Sequence, residues 1–99
     1  MTWQVRYTPS ARDDLERLYG FLLEHDIAAA RGALTAIGKG AELLREFPFT
    51  CRKIDPDNPL LRELLMPFGN AGYVLLYEIE DERTVTILAV RHQREDDYH

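Results

Sequence analysis

Large apolar residues alternate with polar ones from Trp3 through Val5 and Tyr7 to Thr8, the period-two pattern of a half-buried strand. Pro9 ends that run, because a proline nitrogen has no hydrogen to give to a ladder. Ser10 then stands as a helix N-cap candidate, with Asp13 three residues on in the capping-box position. Asp13 and Asp14 also suit the positive end of a helix dipole. From here the period changes. Ala11, Leu15, Leu18, Tyr19 and Leu22 recur at helical spacing, and Ala30, Ala33, Leu34, Ile37, Ala41 and Leu44 repeat it after a break near His25 and Asp26. Two amphipathic helices joined by a short turn, with Asp26 capping the second, predict an α-hairpin that Pro48 closes. Gly32, Ala33, Gly38 and Gly40 predict close packing of the second helix, since each glycine costs it about 1 kcal/mol relative to alanine.

The second half reads differently. Phe47 to Pro59 holds three prolines and alternating charges, the composition of a loop. Leu60 to Met66 is a short strand carrying Arg62 and Glu63, and 67–72 (Pro-Phe-Gly-Asn-Ala-Gly) is a turn. Tyr73 to Glu80 is apolar on both faces in its first half, which predicts a central strand. Asp81 to Arg83 closes a hairpin onto Thr84–His92, with Val85, Ile87 and Ala89 on one face and Leu88 and Val90 on the other. A charged tail, 93–99, follows. The order is strand, helix, helix, strand, strand, strand. That segregation predicts an α+β fold with a helical hairpin packed on a mostly antiparallel sheet, and one domain over residues 1–99.

Composition narrows the function more than the fold. Apolar residues make up 45% and charged residues 29%, as in an ordinary folded domain. The formal charge of −5 opposes any role whose affinity rests on neutralising phosphates, so specific DNA binding by this chain alone is not expected. The carboxylates are interspersed with arginines and form no run, which also argues against a DNA mimic. Cys51 is the single cysteine, no apolar leader opens the chain, and no stretch approaches the length of a bilayer span. A reducing, cytoplasmic location without membrane attachment is expected.

No metal or cofactor is expected. His25, His92 and His99 are far apart and none has a ligand partner at helical or strand spacing. Cys51 has no histidine or helix N-terminus nearby in sequence to lower its pKa. Gly69 and Gly72 flank a turn and form no phosphate loop. The richer cluster is Arg62 on its strand together with Arg91, His92, Arg94 and Tyr98 where the last strand leaves the sheet. Arginines there suit phosphates or carboxylates, and histidine with tyrosine suits acid–base cleavage of RNA. The plainer alternative pairs Arg62 with Glu63 or Glu78 and leaves 91–95 as a solvated strand end.

Several of these pieces, in this order and spacing, carry a resemblance. Arg62-Glu63-Leu64, Pro67-Phe68-Gly69, Gly72-Tyr73-Val74-Leu75-Leu76-Tyr77 and Ile87 through Glu95 together resemble the C-terminal half of RelE/ParE toxins, and the first strand with Ser10-Ala11 and its Leu-rich helix is similar to the family's start. The resemblance implies the toxin of a bacterial type II toxin–antitoxin system, able to arrest growth and held inactive in a hetero-oligomer by a cognate antitoxin. It also implies one of two activities: ribosome-dependent mRNA cleavage in the RelE manner, or inhibition of DNA gyrase in the ParE manner. Phosphodiester cleavage needs cations for the developing charge, yet the chain has only two lysines, Lys39 and Lys53. Val74 stands where nuclease members often carry a second arginine. The ParE-like branch is therefore favoured, with no catalytic residues, and with Arg62, Arg91, His92 and Arg94 as gyrase-binding anchors that trap the cleaved-DNA state. On the nuclease alternative the set is Arg62, His92 and Tyr98. Leu15, Leu18, Leu22, Ile37 and Leu44 form an apolar helical surface that would receive the antitoxin, unless all five are internal core. A non-toxic interaction module of the same fold is the remaining reading.

Overall fold

The computed structural model describes residues 2–69 and 71–93. Strand β1 (Gln4–Tyr7) leads into helices α1 (Pro9–His25) and α2 (Ile27–Glu46). A 3-10 turn (Pro48–Thr50) and the two-residue strand β2 (Arg52–Lys53) follow, and then β3 (Leu61–Phe68), β4 (Ala71–Ile79) and β5 (Thr84–His92). The sheet order is β1-β5-β4-β3-β2, with β1 parallel to β5 and the other neighbours antiparallel. The helical hairpin lies on one face. This is the expected α+β architecture with one strand added, because part of the predicted 47–59 loop folds onto the edge of β3.

The start of α1 corrects the expected cap. Thr8, not Ser10, is the N-cap: its Oγ1 accepts the Ala11 N–H at 3.0 Å, and Pro9 occupies the first helical position. A proline fits there because the N–H it lacks would have no intrahelical acceptor. Asp26 does what its position predicts. Its carboxylate accepts from Ala28 and Ala29 while its own N–H donates to the Leu22 carbonyl, so one residue ends α1 and begins α2. Close packing holds at Gly40, where a Cβ would collide with the Met66 sulfur, and at Gly32 beneath the Phe68 ring; Gly38 faces open space.

The β3–β4 turn is tighter than the sequence suggests. Phe68 pairs with Ala71, so Pro67 and Gly72 belong to the strands, and Gly69 makes the reversal at φ +62°. Pro67 is tolerated because the missing N–H lies on the outer edge of β3, past the point where β2 stops. A bulge at Leu88 shifts the register from Ala89 opposite Leu76 to Ile87 opposite Tyr77. It corrects the expected alternation. Val85, Ile87 and Val90 face the helices, and Ala89 turns to the open face. The core joins Leu18, Ile37 and Leu44 from the hairpin to Met66, Tyr73, Leu75 and Tyr77 from the sheet.

Candidate binding surfaces

Arg62 belongs to both expected residue sets. Its partner on β4 is Tyr77, so its side chain points to the helix face. There it is only 7% exposed. Nε donates to the Pro59 carbonyl at 2.9 Å, and Nη1 donates to the carbonyls of Phe49 at 2.5 Å and Cys51 at 3.2 Å. The guanidinium also lies 5.3 Å from the centre of the Phe49 ring. Neither Glu63 nor Glu78 takes it: Glu63 bonds Arg52 across β2 and β3 instead. Arg62 is thus a clamp on the chain between Phe49 and Pro59. A buried charge of this kind is held by dipoles when its donors all find acceptors.

Tyr77 completes the clamp. It is wholly buried, and its hydroxyl donates to the Pro48 carbonyl at 2.5 Å. Burial pushes its pKa well above the usual tyrosine value, the Cys51 thiol beside it adds to the rise, and Arg62 opposes it. Tyr7 is also raised by burial. Both hydroxyls therefore keep their protons at neutral pH.

Where β5 leaves the sheet, a different arrangement holds. β1 ends at Tyr7, opposite Ile87, so the edge of β5 beyond that point has no strand beside it. Helix α1 covers it. Thr8 N–H donates to the Ile87 carbonyl at 3.0 Å, Thr8 Oγ1 to the Leu88 carbonyl at 3.3 Å, and Asp14 Oδ2 accepts the Val90 N–H at 2.9 Å. The same carboxylate pairs with the Arg91 guanidinium. Asp14 therefore serves the sheet edge, where a dipole role had been expected. Its signal in the sequence was a carboxylate set between Ala11 and Leu18 on the buried face of the helix. His92, opposite Tyr73, sets its ring edge-on to that tyrosine at 5.5 Å.

The predicted residues accordingly separate. Arg62 and His92 pair with β4 residues four positions apart, about 13 Å along a strand. Arg94 and Tyr98 lie outside the described residues. The five leucine and isoleucine positions expected to receive a partner do not form a free surface. Leu18, Ile37 and Leu44 are buried in the core, and Leu15 and Leu22 pack against it.

The open apolar surface is elsewhere. Beyond the end of β2, the outer edge of β3 and the facing side of α2 form a groove of about 520 Å³ lined by Gly32, Ala36, Gly40, Leu43 and residues 64–68. It continues past Leu43, Leu64 and Leu65 toward Thr50, Cys51 and Arg52. Leu43 and Leu65 are exposed there. Sequence reasoning missed this groove because its walls are glycine and edge strand, and neither gives a periodic apolar signal. Among the described residues no group of His, Cys, Asp and Glu side chains is placed to hold a metal ion, and no helix is long and apolar enough to cross a membrane.

Comparison with known proteins gives a consistent picture. The family profile described as ParE toxin of type II toxin-antitoxin system, parDE, matches residues 5–97. Toxin RelE3 of Caulobacter vibrioides is 35% identical over 91 residues, covering 92% of this chain and 95% of that one. Toxin RelE1 of the same organism is 32% identical over 79 residues, covering 80% and 82%. Among solved structures, the chromosomal ParDE toxin–antitoxin system from P. aeruginosa superposes with a TM-score of 0.72 over 91% of this chain and 95% of that one, at 15% identity. That likeness is one of fold.

Proposed function

Because this chain belongs to the ParE toxin family of type II toxin–antitoxin systems, we propose that it acts by binding, as an inhibitor of DNA gyrase. The observation that carries the reading is the state of Arg62. A nuclease needs a cation free to meet the developing charge on phosphate. Here the arginine nominated for that task has its guanidinium engaged by three backbone carbonyls, some 13 Å along the sheet from the histidine meant to act with it. The chain's charge of −5 also favours a protein target over ribosomal RNA.

On this reading Arg62 leaves the set of target anchors, and Arg91 and His92 remain, with Arg94 following them in sequence. They engage gyrase at the exit of β5 and hold its cleaved-DNA state. Family membership implies a cognate antitoxin. We place its docking segment in the groove between α2 and β3, because Leu18, Ile37 and Leu44 are buried and Leu15 and Leu22 pack against the core. An amphipathic segment fits such a groove by setting its apolar side on Leu43, Leu65 and Phe68.

A supercoiling assay with the purified chain tests the proposal. Loss of supercoiling with accumulation of cleaved DNA is expected, and it should be reversed by the protein of the adjacent reading frame. The RelE names of the two curated relatives support the alternative, ribosome-dependent mRNA cleavage. Unchanged gyrase at large excess of the chain, together with new mRNA ends in translating extracts, would establish that alternative.

A further inference from the structure

At the end of the sheet away from the β5 exit, the N-terminal residues, the 3-10 turn and the β4–β5 turn enclose a depression of about 470 Å³. Trp3, Phe49, Leu60 and Ile79 form its apolar part, and Glu80, Asp81 and Glu82 stand beside them. The position of each is fixed locally. Trp3 N–H donates to the Arg45 carbonyl at 2.7 Å, which ties the N-terminal residues to the end of α2. The Trp3 and Phe49 rings meet edge to face at 5.8 Å. Phe49 is nevertheless 51% exposed and Leu60 41%, a high exposure for two neighbouring apolar side chains.

The carboxylates differ in their duties. Glu80 pairs with Arg6 and accepts from Thr86. Asp81 accepts the N–H groups of Arg83 and Thr84, each at 2.8 Å, which builds the turn and holds its carboxyl below the usual range. Glu82 is exposed at the tip. Two guanidinium groups, Arg6 on Glu80 and Arg83 in the turn, stand against the three carboxylates, so the rim keeps a small net negative charge, in a chain that is already acidic.

We infer that this depression docks a basic, apolar-anchored segment of another protein: an aliphatic or aromatic side chain seated on Trp3, Phe49 and Leu60, with a flanking arginine or lysine against Glu82. Charge complementarity selects that occupant. Nucleic acid finds no basic surplus on this net acidic rim, and a purely apolar segment would desolvate the carboxylates without return. A guanidinium also suits the aromatic floor, since it stacks on rings while meeting carboxylates. Arg62 already uses Phe49 in this way from the interior. The depression shares no lining residue with the α2–β3 groove, so both can be filled at once, and the inference stands apart from the gyrase reading.

Trp3 is the only tryptophan, so its emission reports on the depression directly. The full chain is titrated with a capped hexapeptide of alternating leucine and arginine, and separately with the leucine–glutamate counterpart. A saturable change in emission is expected with the arginine peptide alone, weakening as salt is added. Glu82→Lys, a change at an exposed turn, should weaken it by about tenfold at low salt. No emission change, an equal response to the glutamate peptide, or an unaltered Glu82→Lys titration would overturn the inference. So would sedimentation showing a dimer of the chain that Glu82→Lys dissolves, because the occupant would then be a second copy.

Discussion

Arg62 and Arg91 sit in the same sheet, one on each neighbour of β4, and hold opposite kinds of position. Arg62 is walled in by three carbonyls and a ring, and little of it is exposed. Arg91 pairs with a carboxylate of α1 and donates to the Val90 carbonyl at 3.1 Å, and its side chain stays 22% exposed. The first arrangement fixes a loop. The second leaves part of the charge at the surface, where the proposed function needs it. Burial and partner type, more than residue type or place in a motif, therefore decide which arginine serves structure and which is available for function.

Removing Arg62 should produce the largest effect on stability. Arg62→Ala leaves the carbonyls of Phe49, Cys51 and Pro59 without their donor and a void beside Tyr77. A loss of about 3 kcal/mol in urea unfolding is expected, the range for breaking a buried hydrogen-bond network. A loss under about 1 kcal/mol would show that the clamp is dispensable and return Arg62 to the functional set. Arg62→Lys should recover only part, because an ammonium cannot reach three carbonyls with the same fork.

At the other site the expected cost is smaller and its consequence is functional. Asp14→Ala deprives the Val90 N–H and Arg91 of their shared acceptor, for about 2 kcal/mol. Arg91→Ala should cost less, about 1 kcal/mol, because Asp14 keeps its bond from the Val90 N–H. If Arg91 meets the target, the ranking inverts in a gyrase assay: Arg91→Ala abolishes inhibition while its unfolding midpoint stays close to that of the parent. Equal inhibition by Arg91→Ala and the parent would remove it from the interface.

How far the sequence revealed this contrast follows from what each feature leaves in a linear pattern. The helices, the central strand and Asp26 were legible because period and cap chemistry are local properties. Leu88 was not, since a bulge changes which face a residue occupies without changing its type. Thr8 was hidden because Pro9 marks a strand stop and a helix start alike, and only the second makes the residue before it a cap. Arg62 stood among leucines, which showed that it lay on a strand; only the fold reveals that three carbonyls from 49–59 converge on it. Leu15, Leu18, Leu22, Ile37 and Leu44 show an apolar face on each helix, but such a face cannot say whether the sheet of its own chain covers it. Arg94 and Tyr98 lie beyond the described residues, and their part in binding stays with the proposal.

Tyr77 gives the finest test of the clamp, because it contributes a single bond where Arg62 contributes three. Tyr77→Phe removes the donor to the Pro48 carbonyl and little volume, so about 1 kcal/mol is expected. Alkaline pH probes the same bond without mutation. The folded protein holds the Tyr77 proton more tightly than the unfolded chain, whose tyrosines titrate near pH 10. The stability linked to that proton is complete below about pH 10 and declines as pH rises above it, because only the unfolded state releases the proton there. Tyr7, raised in the same direction, adds to the decline. The parent should therefore lose stability above about pH 10 more steeply than Tyr77→Phe, and the two unfolding curves should converge. Parallel curves would mean that Tyr77 is as easily ionised in the fold as outside it, and that the carbonyls around Arg62 are open to water.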